Sequence, residues 1–167
     1  SLFLHGGISP EILGTSISEI NDRIRSDLGG ALEEVLGLSE LQSGPLWYRG
    51  LANGDEALEQ AHVEAVLAFY DVDRIVVGHT PGLGTIVPRF GAKVLVIDTG
   101  ISAYYGGHMA SLLIEGDKLT ALQNGVARPV PLGEEPLLPY FRSIAEQESM
   151  PAARSASFRG SCSLPLF

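Results

Sequence analysis

The run Ile75-Val76-Val77 is too short for a helix and β-branched throughout, so with Arg74 it reads as a buried strand. The strand stops at Gly78-His79-Thr80-Pro81, where glycine permits a tight turn and Pro81 forbids continuation. His79 is therefore expected at a rigid strand end, facing whatever lies beyond the sheet edge. In open α/β sheets, ligands bind there.

The same device occurs at the start of the chain. Ser1 to Leu4 reads as a short buried strand ending in His5-Gly6-Gly7-Ile8-Ser9-Pro10. Because Ser1 already lies in an apolar strand, the sequence is expected to be a fragment whose N-terminus lies upstream. Ile17, Ile20, Ile24 and Leu28 share a helical face over Ile17–Leu28, with Ser16 or Ser18 as its cap. Ala31 to Leu36 reads as a further helical turn or two. A long connection, Leu38 to Gly54, contains Gly44-Pro45-Leu46-Trp47-Tyr48-Arg49-Gly50 and is expected to be pinned by aromatic burial.

Asn53 or Asp55 caps a helix over Glu56–Tyr70, with Leu58, Ala61, Ala65 and Phe69 on one face. Loop is expected from Pro81 to about Arg89, followed by a strand over Lys93–Asp98. Gly116-Asp117-Lys118 marks a hairpin between Met109–Glu115 and Leu119–Gln123, and Asn124-Gly125 marks a second turn. A helix over Glu134–Gln147 is weakened by Pro136 and Pro139. The reading is thus a partial domain over residues 1–149 and a disordered tail over 150–167, where Ser, Arg, Ala and Gly predominate.

A net charge of −9, with no Lys/Arg cluster, argues against a nucleic-acid-binding face. Apolar residues at 45% and charged residues at 19% are an ordinary globular balance, and no apolar run is long enough to span a bilayer. Cys162 is alone, which rules out a disulfide framework and a cysteine zinc site.

Three apolar strands each end in a side chain able to bind metal: His5, His79 and Asp98. Imidazole and carboxylate suit Zn²⁺, Mn²⁺ and iron, and two histidines with one carboxylate also describe a non-haem iron triad. Each taken alone is more often a hydrogen-bonded structural residue than a ligand. Arg49, in an otherwise uncharged loop, has the chemistry to grip phosphate oxygens through parallel hydrogen bonds, or is simply an arginine near a tryptophan. His62 falls within a helix as a packed or half-exposed residue, His108 reads as a turn residue rather than one reaching the site mouth, and Asp71 and Asp73 solvate a helix end.

Taken in order, Leu4-His5-Gly6-Gly7-Ile8-Ser9-Pro10, Leu46-Trp47-Tyr48-Arg49, Val77-Gly78-His79-Thr80-Pro81, Asp98-Thr99-Gly100 and the Met109–Leu122 hairpin resemble a known pattern. It is the C-terminal portion of the calcineurin-like metallophosphoesterases, closest to the bacterial serine/threonine protein phosphatases and their tetraphosphatase relatives. The resemblance covers roughly Ser1 to Gly125. It implies an α/β fold, the C-terminal part of an αββα sandwich whose N-terminal half is missing. It also implies metal-dependent phosphoester hydrolysis, with two divalent ions (Mn, Fe or Zn) and a metal-bound hydroxide as nucleophile. By the same resemblance His5 and His79 are metal ligands, Arg49 is the catalytic and substrate-binding residue, and Asp98 is a structural residue rather than a ligand. The implied substrate is a phosphoprotein or a nucleotide polyphosphate. The family's Asp-x-His, Gly-Asp-x-x-Asp-Arg-Gly and Gly-Asn-His-Glu motifs are absent here, so the chain alone is expected to be inactive.

Two other classes compete. An α/β serine hydrolase would use His5-Gly6-Gly7 as its oxyanion loop, but the Gly-x-Ser-x-Gly elbow is absent. A non-catalytic binding module is the other.

Overall fold

The computed structural model describes residues 1–30 and 37–149. The expected helical turns at 31–36 and the tail at 150–167 lie outside the described residues. The described chain is mixed α/β, with two sheets and four helices.

The first sheet joins β1 (Leu2–Leu4), β2 (Ile75–Val77), β4 (Val94–Val96) and β3 (Val87–Arg89) in the order β1-β2-β4-β3. β1, β2 and β4 are parallel and in register, Leu4 beside Val77 and Val77 beside Val96. The second sheet is the antiparallel set β5 (Ala110–Glu115), β6 (Lys118–Gln123) and β7 (Val126–Pro129). Asn124 at φ 48° and Gly125 at φ 81° supply the left-handed turn between β6 and β7.

β3 differs from the loop expected there. Pro88 has no N–H for a ladder, yet β3 is an edge strand, with only β4 for a neighbour. An edge position tolerates a proline.

Alternation along the central strands builds two cores. Ile75, Val77, Val94 and Val96 face helices α1 (Ile17–Gly29) and α3 (Glu56–Tyr70), while Val76 and Leu95 face the second sheet and helix α4 (Leu137–Ser149). The Ser16 hydroxyl caps α1 by accepting from the Glu19 N–H, and the Asp55 carboxylate caps α3 by accepting from Ala57 and Leu58. α4 begins after Pro136 and carries Pro139 in its first turn, where a missing N–H leaves no intrahelical bond unmade. No helix among the described residues is long and apolar enough to cross a membrane.

The buried face of α3 is not the expected one. Val63, Val66 and Leu67 are buried, whereas Leu58 is 83% and Phe69 49% exposed. The helix carries apolar residues around most of its circumference, so periodicity alone does not select a face. Tertiary packing on Ile75 and Val77 does. On α1 the expected face holds for Ile17, Ile20 and Ile24, but Leu28 stays exposed.

The α3 geometry sets a stability test. Val63→Ala, which removes fully buried methyl groups, should cost about 2 kcal/mol. Leu58→Ala should change stability by no more than about 0.5 kcal/mol. Equal losses in urea unfolding would mean that α3 docks on its other face.

Candidate functional site

Because β1, β2 and β4 run parallel and end at the same level, the residues following them emerge side by side. Gly78 N–H donates to the carbonyls of Leu4 (3.3 Å) and His5 (3.0 Å), and Ile97 N–H donates to Val77 (2.9 Å). These bonds carry the alignment one residue beyond each strand. His5 and His79 then meet directly. Nε2 of His5 lies 2.5 Å from Nδ1 of His79, with ring centroids 4.2 Å apart.

The tight turn expected at Gly78 falls on His79 itself. Gly78 does not adopt positive φ, and a Cβ on it would make only an ordinary 3.6 Å contact with the His5 carbonyl. His79 takes φ 58°, a left-handed conformation that L side chains disfavour. Such a backbone persists where surrounding contacts over-determine it, and these positions cluster at functional sites.

The long connection reaches the same place through glycine contacts. The N–H groups of Gly6 and Gly7 both donate to the Pro45 carbonyl, at 2.9 and 3.2 Å. A Cβ on Gly6 would fall 2.9 Å from the carbonyl oxygens of Pro45 and Leu46, so only glycine allows this approach. Those two N–H groups are thereby occupied, which leaves neither to serve as an oxyanion donor for a serine hydrolase.

Beyond Pro45, Trp47 stands edge-on to the His79 ring, with centroids 5.3 Å apart. Trp47 is 40% exposed, so the loop is not pinned by burying it. Its indole N–H instead donates to the Ser39 carbonyl (2.8 Å), and Ser39 N–H donates to Asp27 of α1 (2.9 Å). Tyr48, half-buried against the first core, is the anchor. Its ring packs beside Gly7 and Gly50, and its hydroxyl donates to Glu59 (3.1 Å). Burial first, then the Glu59 carboxylate, push the Tyr48 phenol up to about 12.

Arg49 is the N-terminal flank of the short helix α2 (Gly50–Asn53). Its Nη1 is buried and has no protein partner, although a buried guanidinium N–H normally has one. The charge is felt at His79. The His79 imidazole is held below its usual range by desolvation first, then by the Arg49 guanidinium and the neighbouring His5 ring, with the Asp98 carboxylate opposing them. A ring whose proton is so easily lost presents a free lone pair at lower pH than an ordinary histidine.

Asp98 sits on the loop after β4 and its carboxylate accepts from Gly100 N–H (3.1 Å). It does not complete a triad. Among the described residues no three His, Cys, Asp or Glu side chains converge as a metal-binding group. His5 and His79 therefore stand as a pair, with Arg49 beside them.

The other histidines lie elsewhere. His62 Nε2 bonds the Ile8 carbonyl (2.7 Å), tying α3 to the loop behind His5. His108 pairs with Glu148 of α4 (3.1 Å), a role that its turn-like sequence context does not signal. Arg89, also unmarked in the sequence, clamps α2. It bonds the carbonyls of Leu51 and Gly54 and pairs with Glu56.

A cleft of about 430 Å³ opens between the sheets, lined by Phe3, Val76, Ile97 and residues of β5. Its lining is apolar and carries no titratable group. The site follows the converging polar side chains and not this cleft.

Among curated proteins the chain is similar to an uncharacterized protein of Schizosaccharomyces pombe, 34% identical over 139 residues, an alignment covering 77% of this chain. The chain spans about 40% of the length of that relative. No family model matches the chain, and no solved structure matches it.

The conformation of His79 yields a paired test. His79→Gly and His79→Ala remove the same imidazole, but only alanine keeps a Cβ in the left-handed region. The glycine variant should be the more stable by about 1 kcal/mol. If chemical denaturation ranks alanine equal or higher, the left-handed turn at His79 is wrong.

Proposed function

We propose that this chain contributes one side of a metal-dependent phosphoester hydrolase site, of the calcineurin-like metallophosphoesterase type. The observation that carries the reading is the convergence of two imidazole nitrogens, 2.5 Å apart at parallel strand ends, beside a buried guanidinium nitrogen that no protein group satisfies. Neutral imidazole is the commonest metal ligand, and a cation held at about 2.0–2.1 Å from each nitrogen needs only a small opening of the pair. An unsatisfied Arg N–H calls for an anion, and a phosphoryl oxygen is the anion such a guanidinium grips best.

The layering supports this reading. One sheet carries α1 and α3 on one face and packs on a second sheet through the other, which suits the C-terminal part of an αββα sandwich. His5 and His79 would hold one divalent ion, Mn, Fe or Zn, through Nε2 and Nδ1. When bound, the metal supplies Lewis-acid polarisation of the phosphoryl group and activation of the attacking water. Arg49 orients the phosphoryl oxygens and offsets charge that builds on them. Trp47 stands edge-on against the His79 ring and limits its access to water on that side. The carboxylates that a pair of divalent ions needs are not gathered here among the described residues. Phosphoprotein and nucleotide polyphosphate both remain substrates of the proposal.

Calorimetric titration of the chain with Zn²⁺ or Mn²⁺ tests the ligand pair. Weak binding is expected, lost by ten-fold or more in His5→Ala and again in His79→Ala, in line with the loss of one of few ligands. Because protons compete with a metal for imidazole lone pairs, affinity should fall as pH drops, with His79, held below its usual range, keeping its lone pair to lower pH than an ordinary histidine. A longer protein containing this chain tests Arg49. Arg49→Ala should lower turnover of a chromogenic phosphomonoester by about 10²-fold while leaving the thermal midpoint nearly unchanged. Undiminished turnover would remove Arg49 from the site, and metal affinity indifferent to both histidines would end the reading.

A further inference from the structure

The segment after His79 has no backbone ladder to hold it. Among the described residues, Thr80 to Ile86 make no backbone-to-backbone hydrogen bonds. Side chains hold the segment instead. The fully buried Gln123, at the end of β6, donates Nε2 to the Gly84 carbonyl (3.0 Å). Tyr140 of α4 donates its hydroxyl to the Ile86 carbonyl (2.8 Å), and Ile86 is itself fully buried against Tyr140 and Ile144. The His108 ring covers Gly84 so closely that a Cβ there would lie 2.6 Å from its Cγ.

All of these holds lead to α4. Glu148, in its last turn, accepts from Gln123 Nε2 (3.0 Å) and pairs with His108 Nδ1 (3.1 Å). Gln147 donates to the Gln123 carbonyl (3.2 Å). His108 also grips the loop that carries Asp98. Its carbonyl accepts from the Thr99 hydroxyl (3.0 Å), and its N–H donates to the Gly100 carbonyl (3.3 Å). The loops leaving β2 and β4 are thus both fastened, through His108 and Gln123, to the C-terminal half of one helix.

We propose that α4 is a brace that sets the position of His79, with Tyr140 and Glu148 as its positioning residues, so that docking or lifting this helix regulates the site. A left-handed histidine costs free energy and stays in place only while its surroundings enforce it. Upstream, the parallel ladder fixes His79 through Val77. Downstream, polar holds between Thr80 and Ile86 among the described residues come from Gln123 of β6 and Tyr140 of α4, with the His108 ring packed over Gly84. Loosening α4 therefore frees one side of His79 and leaves His5 where β1 and Pro45 hold it. The regulatory part rests on the metal-ligand reading of His79. The positional part does not.

Two variants of the whole chain separate these parts. Tyr140→Phe keeps the ring in the core and removes a single O–H. Glu148→Gln keeps an acceptor for Gln123 and removes the charge facing His108. Val63→Ala, on the opposite core, controls for a general loss of stability. The readouts are the imidazole resonances of His79 and His62, amide exchange over residues 80–86, and Zn²⁺ affinity.

Both variants should move the His79 signals and speed exchange over residues 80–86 about five- to ten-fold, the size of one lost hydrogen bond. They should weaken Zn²⁺ binding by a similar factor, with the His62 signals unmoved and Val63→Ala without these effects. If His79 responds although the parent chain binds no Zn²⁺, the brace stands and the metal reading fails. If neither variant moves His79 or the exchange of residues 80–86 beyond what Val63→Ala does, the brace is refuted.

Discussion

The in-register pairing of β1, β2 and β4 is the constraint on which the rest of this structure depends. Leu4, Val77 and Val96 sit abreast, so the chain leaves all three strands at one level and the next residues share one edge. A slip of one residue on β2 would turn Ile75 and Val77 from the helical core toward the second sheet and carry His79 away from His5. Ile75, Val76, Val77, Val94 and Leu95 are at most 1% exposed, and apolar burial on both faces forbids that slip. Burial in the cores thus fixes a distance between two imidazoles outside them.

Around this frame the chain accepts local costs at one place. His79 is left-handed, Arg49 keeps a buried N–H without a partner, and two ring nitrogens face each other at 2.5 Å. The first two work against stability taken alone, whereas the imidazole contact is a side-chain hydrogen bond. Each is held by ordinary structure nearby. The Gly6–Pro45 contact carries the Arg49 loop in, Arg89 clamps α2 behind Arg49, and the α4 side chains secure the exit from His79. Local disadvantage enforced by a rigid surround is how a site is preorganised for a ligand.

The electrostatics fit the same picture. The chain carries a net charge of −9, yet the group beside His79 is cationic, and Asp98 is the acidic residue felt there. After desolvation, the Arg49 guanidinium is the largest influence holding the His79 imidazole below its usual range.

Much of this was legible in the sequence, because it rests on local rules. Short β-branched runs gave the central strands, hydroxyl and carboxylate caps marked the starts of α1 and α3, and the strand-histidine-glycine-proline device occurring twice marked His5 and His79. What periodicity could not decide was which face of α3 turns inward, since that depends on Ile75 and Val77 more than on the helix. Nor could it place Pro88 on an edge strand, where the missing N–H meets no neighbour. The left-handed turn moved from Gly78 to His79 because contacts from remote segments outweigh a residue's own preference. Gln123, His108 and Glu148 carry no marker at all. They lie 25 and 40 residues apart in pairs that meet only when α4 closes on the second sheet. Sequence determines what each segment favours alone; the tertiary fold decides which of those preferences yields, because burial is settled between segments distant in the chain.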